Sequence, residues 1–433
     1  MSTYNLVVSE FTSDGEGIAF YNDKKVFIKG AFVGETVEVE LFGEKQHYAQ
    51  GRLIKVIVPS SCRCEQFCDV NCGACSFTAM SYESELQFKE DFILKLFKNI
   101  PSFVPQMYGK IIPMEKPFNY RNKAVYACGE SCGKAVLGLF EKNSHNIVPI
   151  HTCAVESNWM SKAKDIVQQS IVNISAWRYL FLRGSDDSEK IAVFVCWNEV
   201  EEAQEIAQKL SEIGINNVVL NVNNSSGNRI LGDNFKQIIG SNQIQMEMLG
   251  LNFTVKPDSF FQINSIQTSK LYQLAVDMLN PSSNENVADL YCGIGTISIF
   301  LAQKVKNVYG IECVEAAIQD AMQNAENNKI SNVHFTYGLV ENELPKLVES
   351  NIQIDCAILD PSRKGCDSSV FRVLSECGAN RVVYISCNPI SQCRDIECAI
   401  QQGYQIERVE SVDMFPHTAH VETVVLMSRV EGK

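Results

Sequence analysis

Over residues 4–58 apolar and polar positions alternate in short runs, as in Val26-Phe27-Ile28 and Thr36-Val37-Glu38-Val39-Glu40-Leu41. Period-two alternation is the pattern of a half-buried strand. Gly15, Asn22-Asp23, Gly30, Gly34 and Gly43 interrupt the runs where the chain has to turn, so five short strands closed into a small OB-like barrel are predicted. Pro59 ends this unit. Between Ser81 and Asn99 the spacing of Leu86, Phe88, Phe92, Ile93, Leu96 and Phe97 changes to the helical period. Residues 106–262 mix strand-like runs (124–127, 135–140, 179–183, 191–197, 217–222) with a helix near 203–213, which reads as a mixed α+β domain. Beyond about Asp258, apolar runs at 287–290, 308–311, 356–359 and 381–385 alternate with Gly turns and helical stretches. That alternation predicts a doubly wound α/β domain. The expected division is therefore 1–58, 59–257 and 258–433, with the helix over 81–100 able to pack on the last unit.

Composition narrows the class. With 433 residues, 45% hydrophobic and 21% charged, the chain can build several cores, and disordered or fibrous classes are excluded. No apolar run reaches the roughly 18 residues of a membrane helix, and the first residues lack the basic-then-apolar order of a leader. A cytoplasmic, monomeric protein without membrane contact is expected. The formal net charge of -13 argues against coating nucleic acid through bulk electrostatics, so any such contact is local. Residues 110–145 supply a candidate face: Lys110, Lys116, Arg121, Lys123, Lys134 and Lys142 outnumber Glu115, Glu130 and Glu141. In residues 1–58, six basic residues face eight acidic ones, so the barrel is not the main electrostatic anchor. Seventeen Cys spread through a long chain point to reduced thiols with one metal site rather than a disulfide framework. The candidate for that site is the crowded group Cys62, Cys64, Cys68, Cys72 and Cys75.

Three segments carry candidate chemistry. Asp289-Leu290-Tyr291-Cys292-Gly293-Ile294-Gly295-Thr296 leaves a buried strand and enters a helix, and its glycines allow close backbone approach of a ligand. Glu312 closes the next strand about twenty residues on, where a carboxylate binds a ribose diol. The third glycine of the dinucleotide fingerprint is missing, which favours S-adenosylmethionine over NAD. Cys387 stands just past the strand over 382–386, at the carboxyl edge where doubly wound sheets hold ligands. A lone thiol is most often a small buried hydrophobe, and Cys292, Cys356, Cys377 and Cys398 are read that way. Asp360-Pro361-Ser362-Arg363-Lys364-Gly365 ends another strand, and the segment from Phe415 to Glu422 precedes the last one; the three can converge on one pocket. His417 and His420 lack a third ligand nearby and are not read as a metal pair.

The set DLYCGIGT, DPSRKG, ISCNP, MFPHTAHVE and PDSFFQIN resembles the RNA (uracil-5-)-methyltransferases of the RumA and TrmA type. The likeness extends through Tyr120-Arg121-Asn122-Lys123 and the stretch ending at Cys153 to the N-terminus, where the barrel looks like a TRAM domain, so it covers essentially the whole chain. It implies a TRAM barrel over 1–58, a central α+β domain with an iron–sulfur segment over 59–257 and a Rossmann-like methyltransferase domain over 258–433. Cys387 matches the family's nucleophile, which adds to uracil C6, and Glu422 the base that removes the C5 proton. Gln262, Tyr291, Gly293, Thr296, Glu312 and Asp360 correspond to the S-adenosylmethionine site; Pro361-Ser362 departs mildly from the family's Pro-Pro or Pro-Ala. Relatives with the barrel carry a [4Fe-4S] cluster, which maps to Cys64, Cys72, Cys75 and Cys153, with Cys62 and Cys68 as other candidates for the first ligand and zinc as the alternative metal. The implied substrate is an unpaired or flipped uridine in 23S ribosomal RNA, with Phe260, Phe261 and Phe415 as candidates to replace stacking. Transfer RNA and a noncatalytic iron–sulfur RNA-binding protein are the competing readings. A Pro-Cys nucleophile for cytosine C5 and an aromatic residue in the place of Arg363 for adenine N6 are both lacking.

Overall fold

The computed structural model describes residues 3–141 and 144–430; Lys142 of the basic stretch lies outside them. In chain order the elements are β1 (Thr3–Val7), β2 (Glu10–Phe11), β3 (Gly17–Tyr21), β4 (Lys24–Ile28), β5 (Thr36–Phe42), β6 (Tyr48–Val58), α1 (Tyr82–Phe97), β7 (Lys123–Ser131), β8 (Lys134–Phe140), β9 (Ile147–Pro149), α2 (Asn158–Ser170), β10 (Trp177–Arg183), β11 (Ile191–Cys196), α3 (Ala203–Ser211), β12 (Asn217–Val222) and β13 (Asn234–Ile239). They continue with β14 (Ile244–Met248), β15 (Leu251–Val255), α4 (Ser265–Leu279), β16 (Asn286–Leu290), α5 (Thr296–Ala302), β17 (Asn307–Glu312), α6 (Glu315–Asn327), β18 (Val333–Tyr337), α7 (Val340–Glu349), β19 (Cys356–Leu359), α8 (Ser369–Glu376), β20 (Arg381–Ser386), α9 (Pro389–Gln401), β21 (Tyr404–Val412) and β22 (Glu422–Arg429).

The N-terminal sheet runs β1-β5-β6-β4-β3-β2 around Val8, Ala19, Val26, Ile28, Val37 and Val39. It has six strands where alternation predicts five, because the pair Glu10–Phe11 forms its own short ladder with Gly17 and Ile18. The central sheet, β13-β12-β11-β10-β7-β8-β9, is covered by α2 and α3. Helix α2 is absent from the strand reading of this region, yet Trp159, Met160, Ala163 and Val167 bury one face of it, at the i, i+4 and i+8 spacing of a helix.

The C-terminal sheet runs β18-β17-β16-β19-β20-β22-β21. The first five strands are parallel; β16, β19 and β20 are buried along nearly their whole length, which explains their continuous apolar runs, whereas β18 is a partly exposed edge. Strand order reverses between β16 and β19, where sheets of this kind hold ligands. Two antiparallel strands finish the far side. The hairpin β14-β15 packs Met246, Met248, Phe253 and Val255 into one of this sheet's cores, and α1 delivers Ile93 and Phe97 into the core on its other face.

Helix α1 also makes a buried ionic contact with the loop after β21. Lys89 Nζ lies 2.6 Å from Glu85 Oε1 and 2.6 Å from Asp413 Oδ1, and donates to the Phe415 carbonyl at 3.3 Å. The Tyr82 hydroxyl donates to Asp413 Oδ2 at 2.6 Å, and the His417 backbone N–H donates to Glu85 Oε1 at 2.7 Å. Burial works against the Lys89 charge, but Glu85 and Asp413 hold its ammonium above its ordinary value. Removing one member of such a network strands the others without water, a loss of roughly 3–5 kcal/mol. Lys89→Met should therefore lower the unfolding free energy by about that amount in denaturant titrations, whereas Lys95→Met, on the same helix outside the network, should change it by less than about 0.5 kcal/mol.

Candidate active site

The register of the last strand assembles the site. Strand β22 runs antiparallel to β20 with Thr423 opposite Ser386, so Glu422 and Cys387, one residue beyond each, meet at the same carboxyl edge. The loops after β16, β17 and β19 open on that edge as well. Together they bound a cleft of about 1180 Å³, lined by Gln262, Tyr291, Gly293, Thr296, Glu312, Asp360, Cys387 and Glu422. Every catalytic and cofactor candidate from the sequence is thus brought to one cavity.

The loop after β16 is bent to leave room for a ligand. Tyr291 has φ +68°, Gly293 +55° and Gly295 +81°, and the Ile311 carbonyl accepts from the Tyr291 and Cys292 N–H groups at 2.9 and 3.1 Å. A side chain at Gly295 would stand 2.8 Å from the Phe335 ring, so that glycine is demanded by packing; at Gly293 nothing lies within 4 Å, so the space there is open. Glu312 braces the loop by accepting from Gly293 N–H at 3.2 Å and Val314 N–H at 2.9 Å. Its carboxylate oxygens keep lone pairs for a diol. Helix α5 has only seven residues, so the loop backbone and Glu312, rather than a helix dipole, build this end of the cleft.

Beneath the loop, Asp289 is buried, takes the Ser298 hydroxyl at 2.5 Å and leaves Oδ1 unpaired. Burial raises its carboxyl to about 7, and burial followed by the Asp289 charge raises Asp360 to about 7. Tyr272 of α4 is a cleft residue that sequence reasoning missed. It reaches Gln262 and Thr296, and burial and the Asp360 charge push its phenol well up. Its position in an apolar helical stripe disguises it as core.

The other end of the cleft holds a thiol, a carboxyl and a cation. Burial, then the Glu422 charge, pushes the Cys387 thiol up to about 11, while the charge and hydrogen bond of Arg363 oppose this. Glu422 is 3% exposed, and burial followed by Asp360 holds its carboxyl well above the carboxylate range, again opposed by Arg363. Arg363 is the second residue missed; the sequence used it only to exclude adenine chemistry. Its backbone carbonyl accepts from Asn388 Nδ2 at 2.9 Å and Ser391 Oγ at 3.1 Å. Asp395 takes the Cys366 N–H at 2.9 Å and the Tyr384 hydroxyl at 2.7 Å. The loop carrying Arg363 is thus tied to the helix that follows Cys387. Of the three aromatic candidates, all line the cleft, but Phe261 is core at 4% exposure and Phe260 stands out at 72%.

The Cys-rich segment lies apart from this cleft. Cys75 and Cys153 pack together against Met114, Tyr120 and Val155. Burial, opposed by Arg121 and reinforced by the thiols of Cys153, Cys72 and Cys68, pushes Cys75 up to about 12. Cys64 is exposed, with its Sγ 3.5 Å from the neighbouring Glu65 carbonyl. Among the described residues no three His, Cys, Asp or Glu side chains close on a single-ion site, whereas tetrahedral zinc bonds of about 2.3 Å need thiolates closer than about 4 Å to one another. His417 is buried with its ring stacked on Phe118 and tilted against Phe67, at 4.6 Å each, and both ring nitrogens lack a hydrogen-bond partner.

The family profile described as tRNA (Uracil-5-)-methyltransferase matches residues 81–430, and a TRAM domain profile matches residues 1–54. The chain belongs to the tRNA (uracil-5-)-methyltransferase family. Relatives within and around this family include an RNA methyltransferase of Clostridium tetani, 35% identical with 99% of this chain and 96% of that protein covered, and one of Clostridium acetobutylicum, 34% identical with 99% and 97% covered. Among solved structures, the Pyrococcus abyssi tRNA (uracil-54, C5)-methyltransferase in complex with S-adenosyl-L-homocysteine superposes with a TM-score of 0.78 at 23% identity, covering 98% of this chain and 99% of that one. The barrel and the methyltransferase fold are therefore those of the family. No helix among the described residues is long and apolar enough to cross a membrane.

The opposed effects of Arg363 and Glu422 on the thiol are measurable by iodoacetamide labelling of Cys387, followed in its own peptide by mass spectrometry. Arg363→Met should raise the labelling midpoint further and slow labelling at pH 8 roughly tenfold, the effect of about one pH unit in thiolate fraction. Glu422→Gln should move the midpoint down.

Proposed function

We propose that this family member methylates C5 of an unpaired or flipped uridine in RNA, with Cys387 as nucleophile and Glu422 as base. The observation that carries the reading is their meeting across the β20–β22 register at the edge of a cleft whose other end is the strained glycine loop. The residues fit S-adenosylmethionine: Gly293 leaves open space, Glu312 stands where a ribose diol binds, and Gln262, Tyr291, Thr296 and Asp360 continue along the cleft. That cofactor supplies a sulfonium methyl group.

The residues act in sequence. Cys387 loses its thiol proton to solvent, with Arg363 favouring the thiolate, and the thiolate adds to uracil C6 and pushes the ring electrons toward O4, leaving C5 nucleophilic. C5 would take the methyl group as its bond to the sulfonium sulfur breaks, leaving neutral S-adenosylhomocysteine, and the Glu422 carboxylate removes the C5 proton. The C5–C6 double bond re-forms as the C6–S bond breaks, and Cys387 leaves as thiolate. A buried carboxyl with a raised pKa is a strong base once ionised, and Arg363 beside it favours that ionised form. Phe260, exposed in the cleft, offers a face for a base removed from its stack.

Ribosomal RNA is the substrate class we favour, because the resemblance associates a Cys-rich segment with that branch. The barrel itself does not discriminate, since the Pyrococcus abyssi transfer RNA enzyme matches along the full length of this chain. Transfer RNA is accordingly the second reading. Cys387→Ala should abolish 5-methyluridine formation on both transcripts, and wild-type enzyme on 5-fluorouridine RNA should form a covalent complex. Absence of that complex would reject the nucleophile, and methylation of the transfer RNA transcript alone would select the second reading.

We further propose a [4Fe-4S] cluster in the Cys-rich segment, held by Cys68, Cys72, Cys75 and Cys153. The sequence reading places Cys64 first; we favour Cys68 because it is half-buried and its thiol acts on Cys75, whereas Cys64 is exposed. The cluster would serve as a structural tie between that segment and Cys153. Anaerobically purified protein should be brown, and Cys68→Ser should bleach it while Cys64→Ser does not; a colourless wild type with stoichiometric zinc would overturn the assignment.

A further inference from the structure

Lys123 and Arg183 stand directly opposite one another in the antiparallel pair β7–β10, an arrangement in which like charges repel. Neither has an ion-pair partner among the described residues. Arg183 is 1% exposed, and its Nη1 donates to the carbonyls of Lys256 at 2.6 Å and Ser259 at 2.8 Å while Nε stays unpaired. It thereby holds the loop that carries Phe260 and Gln262. Among the described residues, the carboxylate charge that acts on it is the exposed Asp258. Lys123 lines the cleft with Phe260 and Gln262, and its Nζ lies 5.3 Å from the centre of the Phe181 ring. Burial, then Arg183, pushes this amine down to about 8.

A half-buried ammonium with no ion-pair partner among the described residues, set against a second cation, is unfavourable in the free protein. An anion arriving through the cleft removes that cost. A nucleotide turned into the cleft brings its own phosphate, and phosphate contacts are what fix register on a nucleic acid. We propose that Lys123 binds the phosphate of the target nucleotide, with Arg183 positioning the adjoining loop. The proposal rests on the reading of this protein as an RNA uridine methyltransferase. The other anion that could enter is the cofactor's own carboxylate, and the experiment separates the two.

Binding of a labelled oligouridylate to the full chain is measured by fluorescence anisotropy between roughly 50 and 200 mM salt, and binding of S-adenosylhomocysteine by calorimetry. Lys123→Met and Lys123→Gln should each weaken oligouridylate binding roughly tenfold and lower the slope of log affinity against log salt by about one. Lys123→Arg should keep the slope, and S-adenosylhomocysteine affinity should stay within about twofold in all three. An unchanged salt slope in both neutral variants would overturn the proposal. So would loss of S-adenosylhomocysteine affinity with RNA binding intact, which would assign Lys123 to the carboxylate. Failure of wild-type enzyme to methylate any uridine RNA would instead reject the wider reading, and the salt slopes would still report on the phosphate contact.

Discussion

The chemistry depends on one strand pairing. Placing β22 antiparallel beside β20 with Thr423 opposite Ser386 puts two residues 35 positions apart in sequence at the same sheet edge. In an all-parallel sheet the start of a strand lies at the opposite edge from the end of its neighbour, and Glu422 would have faced away from the cleft. A slip of one residue would turn its side chain to the other face. The Thr423 hydroxyl guards the register, donating to Gln392 Oε1 at 2.5 Å with the Ser386 carbonyl 3.2 Å away.

A second constraint is the accumulation of acidic groups in and beneath the cleft. Asp289, Asp360, Glu422 and the Cys387 thiol are all pushed toward their neutral forms, chiefly by burial. The two aspartates titrate near 7 when folded and near 4 when unfolded, so the folded state binds more protons in that interval and stability falls as pH rises through it. Arg363 is the cation that opposes the shift of both Cys387 and Glu422, and its loop is fastened to one helix, α9 and its N-cap, through Asn388, Ser391, Arg394 and Asp395.

Much of this was legible in the residues and some was not, for physical reasons. Parallel strands buried on both faces write continuous apolar runs, and the glycine loop and Glu312 keep a fixed spacing, so the C-terminal domain and its cofactor end could be read directly. The convergence of Cys387, Asp360 and Glu422 follows from strand ends. Helix α2 was hidden because its buried face includes Lys164, whose ammonium is satisfied by the Ile150 carbonyl at 2.5 Å; a charged residue in the stripe breaks the pattern. Tyr272 and Arg363 were hidden because a tyrosine in a buried helix and an arginine in a loop acquire meaning only from neighbours distant in sequence. The first thiol of the Cys-rich segment was ambiguous because its spacing admits Cys62, Cys64 and Cys68 alike; Cys64 is exposed, while Cys62 and Cys68 are both half-buried.

The ionic contact between α1 and the loop after β21 bears on modularity. The segment bearing Glu422 is held from below by Glu85 and Lys89, and the Ser76 and Phe77 N–H groups bond to the His417 carbonyl at 2.9 and 3.2 Å. The Rossmann-like sheet is therefore not a portable catalytic cartridge. A chimera that grafts residues 258–433 onto a foreign RNA-binding module inherits Cys387, the strand that carries Glu422 and the glycine loop, yet leaves the stretch from Asp413 to His417, which leads into that strand, without its ionic anchor unless the residues from Ser76 to Lys89 travel with it.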